Sequence, residues 1–193
     1  TTGARLAWIP RRAGERGAIE AGCLPGEGGK DTAGIIHAAA EGTIGGLVVG
    51  GVDVRDTGLP EELTSRALER AFVVSLEIRP SSVTEHADVV LPVAPHAERE
   101  GAFINWEGRV RPFEACLSTT ALPDHRVLHM LADEMGEFLG TRTTAEARRS
   151  MEGSAAPRAT VGTAPVKEQV IHFINKKLPG GLPKKTARAL LDI

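Results

Sequence analysis

The chain has 193 residues, 41% hydrophobic and 25% charged, with a formal net charge of −2. That length and balance fit one large domain, or a domain with an appendage, able to bury a core without disulfide staples. Near-neutral charge, 4% aromatic residues and no tyrosine argue against a surface for phosphate backbones or stacked bases, so no nucleic-acid partner is expected.

The two cysteines, Cys23 and Cys116, are far apart and neither sits in a CxxC. A thiolate metal site or iron–sulfur cluster held by this chain alone is excluded. Idle thiols in a reducing compartment are expected. No apolar run approaches the roughly 20 residues of a membrane span, and the first residues lack the apolar core of a signal peptide. The expectation is a cytoplasmic protein, or a cytoplasmic piece of a larger one, without direct membrane insertion.

In chain order, Ala4–Pro10 reads as a short strand stopped by its proline. The glycine-rich stretch "RRAGERGAIEAGCLPGEGGKD" reads as loop. Asp31 or Thr32 is placed to cap the helix "TAGIIHAAAEG", which closes at Gly42. "GGLVVGG", Gly45–Gly51, is wholly apolar between glycines, the pattern of a strand buried on both faces. "LPEELTSRALERA" is a helix with Pro60 at its start and Glu61 and Glu62 where the dipole favours acids. Strands follow at Phe72–Ile78 and Asp88–Ala94, separated by a loop or single turn, "RPSSVTEHA". This alternation predicts an α/β fold with an open, mostly parallel, Rossmann-like sheet and flanking helices.

Beyond Phe113 the pattern becomes helical. "LPDHRVLHMLADEMGEFLG" spaces Val127, Leu128, Leu131, Met135, Phe138 and Leu139 as one helix face, stopped by Gly140. "TTAEARRSMEG" is a second short helix, capped by Thr143 or Thr144. Ser154–Pro165 reads as a linker, "VKEQVIHFINKKL" as an amphipathic helix, and the remainder as a basic tail. The divisions are an α/β domain over residues 1–117, its helical extension over 118–153, and a linker with a basic helical tail over 154–193.

Ligands of open α/β sheets bind beyond the carboxyl ends of strands. Two loops leave such ends. In "GGVDVRDTG", Gly50 and Gly51 permit close approach of the backbone, and Asp53 or Asp56 offers a carboxylate to a hydroxyl or amino group. A tight turn explains the same residues, and no GxGxxG or GxxxxGK[ST] is present. In the second, "EHADVVLPVAPHAEREGAFINWEGRVRPF", Gly101 and Gly108 suggest turns, and Asn105 sets an amide beside Trp106. Arg109 and Arg111 share a face if extended, suited to phosphates or carboxylates. A polar loop with internal ion pairs is the alternative. His125 and His129 are four apart but lack an HExxH context, and Ser81 and Ser82 lack GxSxG, so no metal ligand or catalytic residue is assigned.

The stretch from "VVSLEIRPSSVTEHADVVLP" to "GAFINWEGRVRPF" resembles the signature of the molybdopterin oxidoreductase superfamily. The matching positions are Glu77, Thr84, Glu85, Ala87 to Pro92, Glu98, Gly101, Phe103, Asn105, Glu107 and Arg109. The narrower "NWEGRVRPF", with "GIIHAAAEGTIGGLVVGGVD", resembles the branch of that superfamily found within bacterial, actinobacterial-type NADH–quinone oxidoreductase (respiratory complex I). In active members, the positions matching Gly50, Gly51, Asp53, Glu77, Thr84, Gly101, Asn105 and Arg109 help cradle a guanine-dinucleotide molybdopterin. The complex I branch implies loss of that cofactor. A structural, non-catalytic domain is then expected, peripheral on the inner face of the plasma membrane, among the other peripheral-arm subunits. Iron–sulfur clusters of the parent protein would lie outside this sequence. A fragment of an active molybdenum or tungsten oxidoreductase is the alternative. The family carries more residues between "GCLP" and "DTAGI", so "GEGGK" reads as a shortened loop.

Overall fold

The structure, a computed structural model, describes residues 9–10 and 12–153. Three parallel strands, β1 (Gly46–Gly50), β2 (Phe72–Glu77) and β3 (Val89–Pro92), form a sheet in the order β1-β2-β3. Leu47 pairs with Val73 and Val74 with Val89. The order follows the sequence, so no reversal of strand order occurs among the described residues.

Alternation along the strands builds two cores. Leu47, Val49 and Val73 face one side, packed with Ile35, Ile36, Ala39, Ala67 and Leu68 from α2 (Thr32–Glu41) and α3 (Glu61–Arg70). Val48, Val74, Leu76 and Val89 face the other, against Val127 and Leu128 of α4 (Asp124–Glu134). The central strand is therefore apolar at four of its six positions, because both faces are covered. Each such valine or leucine contributes about 1.5–3 kcal/mol by its burial.

The helix boundaries follow local chemistry. Asp31 caps α2, its carboxylate accepting from the Gly34 N–H at 2.8 Å. Gly42 closes it at φ 78°, and a Cβ there would run into the Arg70 guanidinium. Thr143 caps α5 (Thr144–Gly153) through a capping box. Its Oγ1 accepts from the Glu146 N–H at 3.2 Å, and Glu146 Oε2 accepts from the Thr143 N–H at 2.9 Å.

The β2–β3 connection carries no helix. Val83 is fully buried and pins it to the core. At its end, the Val73 N–H donates to Asp88 Oδ2 at 2.9 Å, and the Asp88 N–H donates to Val73 O at 2.9 Å. This reciprocal pair starts the β2–β3 ladder one residue before β3 begins.

The structure differs from expectation at four places. The glycine-rich stretch contains a six-residue helix, α1 (Glu15–Glu20), which packs on β4. The ligand-loop stretch forms an antiparallel hairpin, β4 (Gly101–Ile104) with β5 (Val110–Phe113), so Gly101 lies in a strand and only Gly108, at φ 82°, turns the chain. In β5, Pro112 sits opposite Ala102. Helix α4 ends at Glu134 because Gly136 adopts φ 75° and the Glu137 N–H returns to Ala132 O, leaving Phe138 outside the helix. Of the expected first strand, Ile9 and Pro10 carry no regular structure and positions 4–8 lie outside the described residues, as do the linker and tail from Ser154.

Candidate functional site

A cleft of about 600 Å³ opens beyond the carboxyl ends of all three strands. Gly51, Val52 and Asp53 enter it after β1, Glu77 to Ser82 after β2, and Val93, His96 and Arg99 after β3. Arg12, Arg55, Asp56 and Asp124 complete the walls. Sheet geometry thus gathers residues that are up to 112 positions apart in the chain (Arg12 and Asp124).

Four guanidiniums and four carboxylates line this cleft: Arg12, Arg55, Arg79 and Arg99 against Asp53, Asp56, Glu77 and Asp124. Most of the cationic charge is matched internally. Arg12 pairs with Asp56, and Arg99 with Asp124. Arg55 Nε lies 3.2 Å from Asp53 Oδ1, which also accepts from the Arg55 N–H at 3.0 Å. Burial draws the Arg99 guanidinium below its ordinary value, yet an arginine this far above neutral keeps its charge and its ion pair. Burial, and then the Arg99 charge, lower the pKa of His96, whose Nε2 is 3.3 Å from Arg99 Nη2. Both effects favour the neutral form of its imidazole. Ser82 Oγ is buried without a hydrogen-bond partner at the wall between this cleft and a smaller one of about 310 Å³ beneath α3.

The expected site residues divide into two groups. Gly51, Asp53 and Glu77 line the cleft, and Gly50 ends the strand feeding it. The others are outside its lining. Thr84 Oγ1 donates to Ser81 O and accepts from the Ser81 N–H, both at 2.8 Å, which folds the β2–β3 loop. Asn105 Oδ1 accepts from the Glu107 and Arg109 N–H groups at 3.1 and 2.9 Å, shaping the hairpin turn. Arg109 lies 3.3 Å from Glu107 within that turn. At Gly101 the missing Cβ makes room for the Phe113 ring, which stacks on Phe103 at 5.2 Å. His96 in turn stacks on Phe103 at 5.9 Å, linking hairpin to cleft. Arg12, Arg79, Arg99 and Asp124 are cleft residues whose role was not legible in the sequence. Among the described residues no cluster of three or more His, Cys, Asp or Glu is placed to hold a metal ion, and no helix is long and apolar enough to cross a membrane.

A parallel sheet with helices on both faces and a charged cleft at its carboxyl edge defines an open-sheet α/β protein. Residues 5–122 match the molybdopterin oxidoreductase family, and the chain belongs to it. It is 45% identical to the G subunit of NADH-quinone oxidoreductase from Mycobacterium bovis over 183 residues, covering 78% of this chain and 23% of that protein. It is 49% identical to the G subunit of the same enzyme in Streptomyces coelicolor over 175 residues, covering 72% of this chain and 20% of that protein. It is also 30% identical over 116 residues to the putative formate dehydrogenase YrhE of Bacillus subtilis, covering 58% of this chain and 12% of that protein. The chain thus spans about a quarter or less of the length of these relatives. The 183-residue match to the mycobacterial protein takes up only 78% of this chain, so that relative carries residues within it that this chain lacks.

A guanine-dinucleotide molybdopterin sets a charge demand on any cleft that holds it. The diphosphate of such a group needs unspent positive charge. Here it would meet Asp53, Asp56 and Glu77, with Arg12, Arg55 and Arg99 already paired to carboxylates. Arg79 is the lining guanidinium with no ion pair among the described residues.

Proposed function

We propose that this chain is a structural, non-catalytic domain of the peripheral arm of an NADH–quinone oxidoreductase, a relative of molybdopterin-binding domains that holds no pterin. The identity to the G subunits of that enzyme supports the assembly. The charge-matched cleft supports the loss of cofactor and is the observation that carries the reading. Electrons pass through centres outside this chain, and its partners are the other peripheral-arm subunits on the inner face of the membrane. The domain supplies shape and contact surface. A cleft that matches most of its own charges holds its shape without a ligand, which suits a scaffold.

The test is elemental and nucleotide analysis of the natively purified parent assembly. Molybdenum, tungsten and released guanine nucleotide all well below one equivalent, with NADH oxidation intact, are expected. Metal and guanine nucleotide near one equivalent would overturn the proposal. That outcome would favour a second reading, an active molybdenum or tungsten oxidoreductase, for which the similarity to the putative formate dehydrogenase speaks.

A further inference from the structure

Arg99 stands where three elements meet. It pairs with Asp124 at the start of α4, and its Nη2 lies 3.3 Å from His96 Nε2. A guanidinium carries donors only, so this contact is a hydrogen bond only while Nε2 keeps its lone pair. The proton of the neutral ring then sits on Nδ1. The same ring stacks on Phe103 at 5.9 Å and lies 6.2 Å from Phe113, tilted by 34°. His96 thus ties the β4–β5 hairpin to Arg99.

The hairpin has little else to hold it. A two-stranded ribbon is marginal by itself, and neither strand has a buried residue. On its other face Ile104 lies beside Gly17 of α1, a helix that also buries nothing, and Arg16 donates to Trp106 O at 3.4 Å. Its base is fixed, since Ala97 O accepts from the Cys116 and Leu117 N–H groups at 2.8 and 2.9 Å. The charges around the His96 ring come from each neighbouring element. Helix α4 contributes Asp124, bonded to Arg99, and His125, which burial and then Arg99 also hold toward the neutral form. The hairpin contributes Arg111, opposite Phe103 in the register. The cleft walls contribute Glu77 and Arg79 beside the paired charges described above. Of these, Arg99 is the one that bears on His96.

We propose that His96 is a proton-operated latch on the hairpin: the neutral ring holds Phe103 and Phe113 to the Arg99 side of the cleft, and the protonated ring releases them. A proton on Nε2 turns the acceptor into a donor facing another donor, with two like charges in contact. Arg99 stays because Asp124 holds it, so the ring is the part that moves and its stack is lost. The hairpin then pivots on its base at Ala97. His96 is exposed, which gives the proton its route. The docked ring has the lowered pKa, so docking is complete above about pH 6.5 and is lost as pH falls below that value. This inference is independent of whether the cleft holds a cofactor.

The experiment sets nitroxide labels on Val110→Cys in the hairpin and Glu134→Cys in α4 of the full chain, with Cys23→Ser and Cys116→Ser. Both label sites are exposed. Pulsed electron paramagnetic resonance reads their separation in samples frozen from pH 7.5 and pH 5.5. One narrow distance is expected at pH 7.5, and a distribution at least twofold wider at pH 5.5. His96→Phe keeps the stack without a titrating group and should stay narrow at both pH values. Arg99→Met removes the repelling charge and should also lose the response. If His96→Phe is already wide at pH 7.5, Arg99→Met decides. An unchanged distribution with His96 in place, a response retained in either variant, or loss of the far-UV circular dichroism signal at pH 5.5 would each overturn the proposal. So would distributions already wide at pH 7.5 in both variants.

Discussion

Asp88 belongs to the signature segment that marks the family, yet its position gives it a structural task. Its carboxylate accepts from the Val73 N–H at 2.9 Å, and its own N–H donates to Val73 O at the same distance. Val73 is fully buried, so water has no direct route to replace the lost acceptor. In Asp88→Ala the Val73 amide either stays unsatisfied or the ladder end opens. Loss of a hydrogen bond to a charged group costs about 1.5–3 kcal/mol, and the exposure of Asp88 itself favours the lower half of that range, about 2 kcal/mol. With a urea m-value of about 2 kcal/mol/M, the midpoint falls by about 1 M. Asp88→Asn keeps an acceptor oxygen and should lose less than half as much. Urea unfolding followed by far-UV circular dichroism reads both. The reasoning fails if Asp88→Ala shifts the midpoint by less than about 0.2 M, or if Asn and Ala behave alike.

Gly42→Ala forces a left-handed residue at φ 78° and drives a Cβ into the Arg70 guanidinium, so it should cost about 1–2 kcal/mol in the same assay. Burial lowers the pKa of His96 and of His125 in the folded state, with Arg99 the next contributor to each. The unfolded chain then binds protons first, so stability is full above about pH 6.5 and declines as pH falls through that value. A urea midpoint that does not fall between pH 7.5 and 5.5, or a slope unchanged in His96→Gln/His125→Gln, would contradict this. Guanosine diphosphate should bind the wild-type cleft no more tightly than about 1 mM, and Asp53→Asn/Asp56→Asn/Glu77→Gln should bind it at least tenfold tighter, with strong salt dependence. Isothermal titration calorimetry decides it; tight wild-type binding would refute the charge-matching argument.

What the sequence disclosed depended on the range of the interaction involved. The strands β1 and β2 were legible because burial on both faces leaves a continuous apolar run between glycines or polar residues. Helix α2 was legible through Asp31 and Gly42, both local signals. Helix α1 escaped because it has no buried residue and no side-chain cap, and its support comes from β4, with a Gly17 Cβ position 3.8 Å from Ile104. The hairpin escaped because its strands are four residues long and contain no buried residue, while its Phe103–Phe113 stack is a cross-strand contact. At the site, Asp53 and Glu77 were identifiable from their place after strands. Arg99 was not, since its partner Asp124 is 25 residues away on another element. Asn105 and Arg109 matched a binding signature, but that signature also encodes the turn that they build.

Pro112 has a consequence for how this domain behaves in company. The Asn105 N–H donates to Arg109 O across the turn, so alternation directs the main-chain groups of Val110 and Pro112 away from β4. Proline has no N–H to offer, which leaves Val110 as the outward donor of a four-residue strand. An incoming strand finds too few hydrogen bonds to anneal there. The hairpin can present Trp106 and Val110, both more than half exposed, to a chosen neighbour through side chains while remaining a poor template for runaway sheet growth.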